Sequence, residues 1–486
     1  MMSARITILG SKEKELKEWL QSHPENHERG AIILFKRISR PVENLIDSDR
    51  FIAVDIIKMD NDWVIDSSKS HFKINMRKFP EIYFRCESEN LELGFAHNHP
   101  NGFQEFSAMD DINEMNILKG LSGCNGIKSF LISLVLCDNN WIGRVRRGDT
   151  PENIISVRHI AILDDKINLH GIDLSKSSPE SLKRQEAAFG LPFNQKINSL
   201  RVAVVGLGGT GSPVATLLAR TGVGELILID GDDLEASNMN RVRGYKGDDI
   251  GKKKAKSLTK FIESLNLNTK VTTICDFLDK DPIALDALSS ADVIFGCTDD
   301  ISGRDLINQS VYYFNQVLID SGISGFIGDD KDGNPFLRTQ KGRVSCILPE
   351  FGCCLRCQNV VNEQKLYKEQ RFKENPELKE LDAETLEKEH YIVGGGVQSP
   401  GIGAFTSATA DNAVATLMNL VSEFRKCSSE LRQDNIWIDF IHMEIHSNEP
   451  IDDPECIYCR KHTILNSSEG KYRLGIPQLG EIPTNV

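Results

Sequence analysis

The sequence predicts a two-domain α/β protein, with a mixed α/β domain over residues 1–150, a linker over 151–179 and a doubly wound domain over 180–486. Its 486 residues exceed what one ordinary hydrophobic core accommodates. The first 150 residues alternate several short apolar runs with few helical patterns, which is typical of a mixed α/β domain. From Leu200 onward an apolar run, a glycine-rich turn and a helical pattern follow one another, as in a doubly wound sheet.

In the first domain, residues 11–22 have the apolar spacing of a helix, with Leu16, Trp19 and Leu20 able to share one face. A second helical pattern begins near Ser107. The remaining short apolar runs are expected to form strands. These runs are Ala31–Phe35, Phe51–Ile57, Ile82–Phe84, Leu91–Ala96 and Phe130–Leu136.

The second domain follows a largely polar stretch, residues 165–198, whose clearest break is Ser175–Pro179. Residues 362–390 are dominated by charge and favour a solvated helical insertion. The other predicted elements are a strand at Arg201–Val205, a helix from the glycine turn to Arg220, and strands at Glu225–Asp230 and Ala291–Cys297.

The composition narrows the class of function. Hydrophobic residues make up 40% and charged residues 26%, and the formal net charge is −13. This acidic balance argues against a general nucleic-acid or anionic-membrane binder, because both need basic surface. No uncharged apolar stretch of roughly 18 residues is present, so no membrane span is expected. The first residues also lack the basic-then-apolar layout of a secretory signal, and a cytoplasmic location is predicted.

The first chemical motif is His97-Asn98-His99, followed by Ser107 and Asp110. Two histidines one residue apart at the end of an extended run point to the same side of a strand. Asp110 would approach them from the first turn of the next helix, where Ser107 is a natural N-cap. Three protein ligands leave the fourth zinc position for water, which is the arrangement of a catalytic site. The candidate base for that water is a glutamate that opens the first apolar strand.

The segment HNHPNGFQEFSAMDD resembles the signature of the JAB/MPN metalloprotease family, and the resemblance covers about the first 150 residues. It implies a catalytic zinc held by His97, His99 and Asp110. It also implies Glu28 as the general acid/base and Ser107 as the hydrogen-bond donor to the oxyanion. The family usually has Ser or Thr between the two histidines, whereas this chain has asparagine there. Members of the family cleave peptide or isopeptide bonds at the C-termini of ubiquitin-like proteins.

The second motif is a glycine-rich turn between an apolar strand and a helix. Glycines let the backbone approach a phosphate, and the helix N-terminus attracts an anion. Alone this pattern also fits a dinucleotide-binding dehydrogenase, with Asp230 near the place of a ribose-binding acid. The sequence beyond Asp230 favours a triphosphate with magnesium over hydride transfer, because it adds an Asn/Arg pair, a lysine and an acid. The glycines of the turn are Gly206, Gly208, Gly209 and Gly211, and the later residues are Asn238, Arg241, Lys254 and Asp299.

Over about residues 180–460 these motifs resemble the ThiF/MoeB/ubiquitin-activating-enzyme family, whose domain is Rossmann-like. The resemblance implies ATP and Mg²⁺ as cofactors. Asp230 would hold the ribose hydroxyls, and Asn238 and Arg241 would contact phosphates. Lys254 would steady the β- and γ-phosphates, and Asp299 would bind Mg²⁺. The implied chemistry is attack of a C-terminal glycine carboxylate on the α-phosphate, which gives an acyl-adenylate and pyrophosphate.

Four of the twelve cysteines form two Cys-x-x-Cys pairs about 100 residues apart. In a cytosolic protein this spacing indicates a metal rather than disulfides. Four thiolates suit a closed tetrahedral zinc, so a structural zinc is predicted, and the same family places a zinc here. Cys353 could replace the adjacent Cys354 in the first pair, but the two-residue spacing to Cys357 favours Cys354. The predicted ligands are Cys354, Cys357, Cys456 and Cys459.

A thioester cysteine is missing from its usual place. Family members that pass the activated protein onward often have one shortly before a segment that corresponds to residues 396–400, and the matching position here is near Ile392. Three alternatives stay open: the enzyme stops at the adenylate, a displaced cysteine serves, or another nucleophile does. A displaced cysteine would have to be exposed and of low pKa. The candidates are Cys346, Cys353 and Cys427.

Three hypotheses of function follow. The first is a bifunctional enzyme that adenylates the C-terminal glycine of a ubiquitin-like protein and cleaves bonds at ubiquitin-like C-termini, with a conjugating enzyme as a possible further partner. The alternative is activation and processing of a sulfur-carrier β-grasp protein for cofactor biosynthesis. The third is a binding module with a vestigial nucleotide site. Arg184, in the segment SLKRQ, matches the family's arginine that reaches into a partner subunit's ATP site, which implies a homodimer.

Overall fold

A computed structural model of the protein describes residues 3–40, 42, 43, 45, 48–175, 177–381, 401–426, 431–451, 453–460 and 471–482. The chain divides into two compact units between Ser177 and Ser178. Each unit contains one eight-stranded sheet within the described residues, and the first also has a separate two-stranded sheet. Among these residues, no helix combines the length and the apolar character that crossing a membrane requires.

The first unit is built on a sheet of strand order β1-β3-β2-β6-β7-β8-β9-β10. An additional parallel pairing of β1 with β9 closes seven of these strands into a ring. The helices are α1 (Gly10–Leu20), α2 (Phe79–Ser88) and α3 (Ala108–Asn125). The strands are β1 (Ser3–Leu9), β2 (Gly30–Ile38), β3 (Ser48–Lys58), β4 (Val64–Ser68), β5 (His71–Ile74), β6 (Glu92–Asn98), β7 (Phe130–Cys137), β8 (Asn140–Arg147), β9 (Ile155–Leu163) and β10 (Ile167–His170).

Strand β2 shows how the sequence creates two apolar cores in this unit. Its run of apolar residues is buried on both faces, so alternate side chains enter different clusters. Ile33 and Phe35 join one cluster, which includes Leu16 of α1. Ile32 and Leu34 join the other, which includes residues of α2 and α3. The β2–β6 pairing is therefore fixed from both sides, and it holds the end of β6 in place.

The second unit has the strand order β13-β12-β11-β14-β15-β16-β17-β18, in which β11 to β15 are parallel and β16 to β18 run antiparallel. Its helices are α4 (Lys183–Phe189), α5 (Leu191–Ser199), α6 (Gly211–Thr221), α7 (Lys254–Ser264), α8 (Pro282–Ser289), α9 (Ile301–Phe314), α10 (Glu363–Glu374) and α11 (Gly403–Val421). Its strands are β11 (Arg201–Val205), β12 (Glu225–Ile229), β13 (Lys270–Ile274), β14 (Val293–Gly296), β15 (Val317–Asp329), β16 (Pro335–Ile347), β17 (Asn435–Asp439) and β18 (Glu444–Ser447).

The structure differs from the sequence-based expectations in two places. Residues 151–179, expected as a linker, contain β9 and β10, because the apolar residues of Ile155–Leu163 pair with β1 and extend the first sheet. The run Ile82–Phe84 lies in helix α2 and not in a strand, because Phe79, Ile82 and Tyr83 share one buried helical face. The charged insertion does form a helix, α10, while residues 382–390 lie outside the described part of the chain.

Candidate functional sites

A cavity of about 1410 Å³ lies at the carboxyl ends of the parallel strands of the second unit. In open α/β sheets this edge is where ligands bind. Glycine, aspartate and cysteine residues that follow β11, β12 and β14 contribute to its wall, together with Ser321, Gly322 and Ile323 inside β15. The structure brings eight of the predicted nucleotide-site residues together in this wall: Gly206, Gly208, Gly209, Asp230, Asn238, Arg241, Lys254 and Asp299.

Three glycines of the glycine-rich turn differ in what surrounds their Cα atoms. Gly206 has a φ of +83°, and a Cβ there would lie 2.7 Å from the carbonyl oxygen of Cys297. A Cβ on Gly211 would lie 1.7 Å from the carbonyl oxygen of Gly206, so Gly211 is needed for packing and not as part of the cavity wall. Gly208 has no neighbour within 4 Å of its Cβ position, so its backbone faces open space. A turn of this kind presents backbone N–H groups to a phosphate.

Asp230 and Lys254 lie on the β12 side of the cavity. The two carboxylate oxygens of Asp230 accept hydrogen bonds from the backbone N–H of Leu207 at 2.6 Å and of Asp232 at 2.8 Å. Burial raises the pKa of the Asp230 carboxyl, and the charge of Lys254 opposes that rise. Lys254 is buried at the start of α7 and its Nζ donates to Asp232 at 2.9 Å. Lys252, two residues earlier, is exposed, so only part of the lysine run is solvated.

The loop after β12 supplies Asn238 and Arg241. Asn238 is buried, and its Oδ1 accepts a hydrogen bond from the backbone of Glu235 at 3.2 Å. Arg241 donates from Nη1 to the carbonyl oxygen of Ser237 at 2.7 Å, and its side chain packs against the Cα of Gly209. Asp299 follows β14 and lies exposed in the cavity wall. These two cations, with the carboxylates of Asp230 and Asp299, are among the charged groups that line this glycine-rich space. Cations and carboxylates together form a donor and ligand set suited to a polyphosphate with a divalent cation.

Arg184 lies outside the cavity wall that the described residues form. It is an exposed residue of α4. The neighbouring Gln185 donates from Nε2 to the carbonyl oxygen of Thr221 at 3.0 Å, which places α4 beside the C-terminal end of α6. The N-terminal end of α6 is at the glycine turn, and its 11 residues span about 16 Å. Arg184 is therefore separated from the cavity of its own chain by the length of α6.

A second candidate site lies in the first unit, where the side chains of His97, His99 and Asp110 converge. One ligand atom of each residue lies within 4.8 Å of the others, and all three residues are buried. His97 Nε2 is 2.9 Å from Asp110 Oδ1 and 3.1 Å from His99 Nε2. His99 Nε2 is 3.5 Å from Asp110 Oδ2. Two imidazole nitrogens and a carboxylate at this spacing fit a zinc ion with one further open position.

The surrounding hydrogen bonds orient these ligands. His99 donates from Nδ1 to the carbonyl oxygen of Phe103 at 2.8 Å, which leaves Nε2 as its ligand atom. Ser107 is the N-cap of α3, as predicted, and it forms a capping box with Asp110. The Ser107 N–H donates to Asp110 Oδ2 at 2.6 Å, and the Asp110 N–H donates to Ser107 Oγ at 3.2 Å. Because Oγ accepts in this pair, its own proton stays available for another acceptor.

Glu28 is buried and lies two residues before β2, where the charges of His97, His99 and Asp110 act on its carboxyl. Burial raises the pKa of the Glu28 carboxyl, and the nearby His97 and His99 oppose the rise. Asn98 has a role that the sequence did not predict, because its Oδ1 accepts a hydrogen bond from the backbone N–H of Arg29 at 2.7 Å. Asn98 therefore ties β6 to the residue that follows Glu28. The indication of this role in the sequence was the position of Asn98 between the two histidines. A strand residue between two others points its side chain to the opposite face of the strand.

The four predicted thiols cluster in the second unit, all of them buried. The Sγ atoms of Cys354 and Cys456 are 3.6 Å apart, and those of Cys357 and Cys459 are 3.5 Å apart. Tetrahedral zinc with bonds of about 2.3 Å requires about 3.8 Å between sulfurs, so the cluster fits this ion. The predicted choice of Cys354 over Cys353 agrees with the cluster.

The loop between the first two thiols is tied to α9. Arg356 pairs with Asp305 through two contacts of 2.9 Å, and the Leu355 N–H donates to Asn308 Oδ1 at 2.9 Å. The same helix begins at the cavity, where the side chain of Asp300 caps its N-terminus. The cysteine cluster is therefore mechanically connected to one wall of the cavity.

The described candidates for a displaced thioester cysteine do not have the required surroundings. Burial raises the pKa of Cys346 to about 12 and also raises the pKa of Cys353. Both thiols are buried, so neither is the exposed, low-pKa thiol that the reaction needs. Cys427, Ile392 and residues 396–400 lie outside the described residues.

The doubly wound sheet, its glycine turn and the cavity define an α/β nucleotide-binding class. Within that class, the family model described as the ThiF family matches residues 182–456, and the chain belongs to this family. The match begins a few residues after the start of the second unit.

Curated relatives show similarity over part of the chain. "Sulfur carrier protein ThiS adenylyltransferase" of Escherichia coli (strain K12) is 35% identical over 160 residues, which are 33% of this chain and 62% of the relative. "SAMP-activating enzyme E1" of Haloferax volcanii is 31% identical over 162 residues, 33% of this chain and 54% of the relative. "Ubiquitin-like modifier-activating enzyme 5" of Dictyostelium discoideum is 29% identical over 205 residues, 40% of this chain and 50% of the relative. The chain thus spans 50% to 62% of the length of these three relatives.

Among solved structures, E. coli MccB with ATP matches at 19% identity and a TM-score of 0.43, over 58% of this chain and 75% of that chain.

Proposed function

We propose that the second unit uses ATP to adenylate the C-terminal carboxylate of a ubiquitin-like or sulfur-carrier protein. The main support is the single cavity in which the glycine turn, Asp230, Arg241, Lys254 and Asp299 meet. The names of the relatives support the same activity, because they include an adenylyltransferase of a sulfur carrier and two activating enzymes. They favour the sulfur-carrier alternative over conjugation, and a conjugating enzyme stays a prediction from the sequence.

The proposed reaction follows from the positions of these side chains. Asp230 orients the ribose, and the glycine turn with Arg241 and Lys254 holds the triphosphate. Asp299 would hold Mg²⁺, which would neutralise phosphate charge when bound. A carboxylate oxygen of the partner forms a bond to the α-phosphorus while the bond to the α,β-bridging oxygen breaks. Pyrophosphate leaves with that electron pair, and the cations of Arg241 and Lys254 stabilise the charge that develops on it.

The working form proposed is a homodimer in which Arg184 serves the cavity of the other subunit. Two observations support this: Arg184 is exposed, and the length of α6, about 16 Å, separates it from the cavity of its own chain. Arg184→Ala should therefore lower exchange activity, because each site of the homodimer loses the arginine that the other subunit supplies. A mixture of Arg184→Ala and Lys254→Ala proteins should regain activity, because each mixed dimer contains one intact site. No recovery in the mixture would contradict a shared site.

The test of adenylation compares Lys254→Ala with Lys252→Ala, since both remove a lysine from one run but only Lys254 lies in the cavity. Equilibrium titration with ATP should show binding at least about 10-fold weaker for Lys254→Ala, because a charge-assisted phosphate contact is lost. ATP–pyrophosphate exchange with β-grasp proteins encoded beside this gene should fall in parallel. Equal behaviour of the two variants would contradict the proposed site.

We propose as a second function that the first unit is a zinc-dependent peptidase of JAB/MPN type that cuts at the C-terminus of such a partner. The specific support is the convergence of His97, His99 and Asp110 with a buried Glu28 beside them. A zinc ion bound there would lower the pKa of a water toward neutrality. Glu28 takes a proton from the attacking water and returns it to the leaving amine. The free hydroxyl proton of Ser107 donates to the oxyanion.

The peptidase proposal is tested with a ubiquitin-like protein extended at its C-terminus by a tag. Glu28→Ala should slow release of the tag by about 100-fold or more, which is the usual effect of removing a general base. Glu25→Ala is the matched control, because Glu25 is exposed three residues earlier. Equal cleavage by the Glu28 variant and the wild type would contradict the role of Glu28.

A further inference from the structure

A further group of cations lies near β15 in the nucleotide cavity, apart from Lys254, which lies beside β12. Arg304, in the second turn of α9, forms part of the cavity wall beside Ser321 and Gly322 at the end of the parallel part of β15. In the sheet, β12 and β15 are separated by β11 and β14. Three spacings of about 4.8 Å place the two strands about 14 Å apart. Arg304 and Lys254 are therefore separated along the sheet, while Arg241, Lys280 and Lys373 also line the cavity.

Asp320 is the carboxylate that faces this second group, and it is fully buried. Arg343 of β16 donates to Asp320 and to the hydroxyl of Ser345 through short hydrogen bonds. Arg304 approaches the same carboxylate only at 3.4 Å, and the carbonyl oxygen of Ser321 also at 3.4 Å. Two guanidinium groups thus share one carboxylate, and Arg343 is much closer to it.

Arg304 keeps most of its hydrogen-bonding capacity. A guanidinium has five N–H donors in a fixed planar arrangement. Among the described residues, the two 3.4 Å contacts are the hydrogen bonds that the guanidinium group of Arg304 makes. Among the residues that the structure describes, both guanidinium groups form their ion pairs with the one carboxylate of Asp320, which leaves one positive charge in excess. A second anion would complete both the charge and the hydrogen bonds.

Gly322 keeps this cation group accessible from the cavity. A Cβ at Gly322 would lie 3.1 Å from Nη2 of Arg343 and 3.4 Å from Nη2 of Arg304. Both guanidinium groups therefore approach the bare backbone of β15 at a residue that lines the cavity. A ligand that passes over Gly322 meets the edge of Arg304 without an intervening side chain.

We propose that Arg304 is the residue that recognises the C-terminal carboxylate of the protein that is to be adenylated, with Arg343 held behind it by Asp320. This inference rests on the proposed adenylation and assigns the second substrate to a place in the same cavity. A carboxylate fits because the planar guanidinium binds two oxygens of a carboxylate in parallel. The triphosphate already has Lys254 on the β12 side and Arg241 beside Gly209 of the glycine turn. Binding at Arg304 brings the carboxylate to the Asp299 end of the cavity and limits its orientation.

A rival role for Arg304 is contact with the nucleotide phosphates. The two roles predict different losses when the guanidinium is removed. Recognition of the carboxylate predicts weaker binding of the partner's tail with ATP affinity unchanged. Contact with phosphates predicts weaker binding of ATP itself.

The experiment is calorimetric titration of the full chain, saturated with α,β-methylene ATP, with a synthetic octapeptide that ends in Gly-Gly-carboxylate. The same peptide with a C-terminal amide measures what the carboxylate contributes. The wild type should prefer the carboxylate by about 10-fold or more. Arg304→Gln should abolish this preference and change the affinity for the nucleotide analogue by less than about twofold. Arg304→Lys should keep part of the preference, because it retains the charge but loses the planar fork.

Arg243→Gln is the matched control, because Arg243 pairs with Asp411 and does not line the cavity. Thermal unfolding and nucleotide binding show that each variant is folded. A preference for the carboxylate peptide that survives in Arg304→Gln overturns the inference. A wild type that shows no such preference, or that binds no peptide at millimolar concentration, also overturns it. A loss of analogue affinity in Arg304→Gln overturns it in favour of the phosphate role. If the wild type does not bind the nucleotide analogue at all, the proposed adenylation fails instead.

Discussion

The two candidate metal sites of this chain differ in ligand number and in what surrounds them. The cysteine cluster of the second unit offers four buried thiols, whose loop is tied to α9 by Arg356 and Asp305. The cluster of the first unit offers three ligands, and a buried glutamate and a hydroxyl with a free proton lie beside it. Four thiolates close the coordination of zinc, whereas three ligands leave one position open.

This difference shows how the same ion would serve structure at one site and chemistry at the other. At the cysteine cluster the protein supplies every ligand and connects the site to a helix of the cavity wall. At the histidine cluster the protein fixes the ligands through second contacts, such as the bond from His99 to the carbonyl of Phe103. A zinc ion bound in the second unit would therefore govern stability, and one bound in the first unit would govern turnover.

The largest effect is expected for Cys354→Ser. Structural zinc sites contribute on the order of 10–16 kcal/mol of folding free energy in peptides, which is comparable to the whole stability of a domain. The second unit should therefore lose its zinc and its cooperative thermal unfolding, and nucleotide binding should disappear. Cys353→Ser is the control, because this thiol lies outside the cluster and contacts Arg432 and Arg460. A Cys354→Ser protein that melts like the control would show that the cluster is not a structural metal site.

A large but localised effect is expected for His97→Ala. Zinc content, measured by atomic emission, should fall from about two ions per chain to one. Tag release should be lost, whereas the unfolding of the second unit and its ATP affinity should not change. Loss of both zinc ions, or a change in the nucleotide site, would contradict the separation of the two roles.

An intermediate effect is expected for Ser107→Ala, because it removes both the N-cap of α3 and the proposed oxyanion donor. Loss of an N-cap costs about 1 kcal/mol of stability. Loss of one oxyanion donor costs about 100-fold in turnover. Ser107→Thr keeps the hydroxyl and should restore stability and most of the rate. If Ser107→Ala slows cleavage only as much as its stability loss lowers the folded fraction, the donor role is wrong.

The smallest effect is expected for Asn98→Ala. The hydrogen bond from Arg29 to the Asn98 side chain is lost, which costs roughly 1 kcal/mol and loosens the link between β6 and the residue before β2. Zinc affinity should stay close to the wild type, because the three ligands remain. The rate constant for tag release should fall several-fold with little change in KM, since Glu28 is less firmly placed. Asn98→Asp, which keeps an acceptor oxygen, should lose less than Asn98→Ala.

The sequence was most informative where one short segment contains both a secondary-structure element and the residues that have a chemical role there. The strand Arg201–Val205 agrees with β11, and the cysteine pairs converge as their spacing predicts. The Ser107 cap and its helix were also predictable, since a cap and its first turn are local.

Features that depend on distant partners could not be predicted in this way. Residues Ile155–Leu163 form β9 because β1, about 150 residues earlier, offers an edge for pairing. Asn98 accepts its hydrogen bond from Arg29, which lies 69 residues earlier and directly precedes β2. Arg304 belongs to the cavity wall because β15 and β16 bring Asp320 and Arg343 beside it. None of these contacts leaves a periodic pattern or a fixed spacing in the sequence.

The most direct test of the account is ATP–pyrophosphate exchange with a β-grasp protein encoded beside this gene, supplied both as an intact precursor and already trimmed to its C-terminal glycine. Wild type, Glu28→Ala and Asp299→Ala are compared. The account predicts that Asp299→Ala loses exchange with both forms, and that Glu28→Ala loses it only with the intact precursor. Exchange that survives in Asp299→Ala, or that no candidate partner supports in the wild type, would contradict adenylation by the second unit.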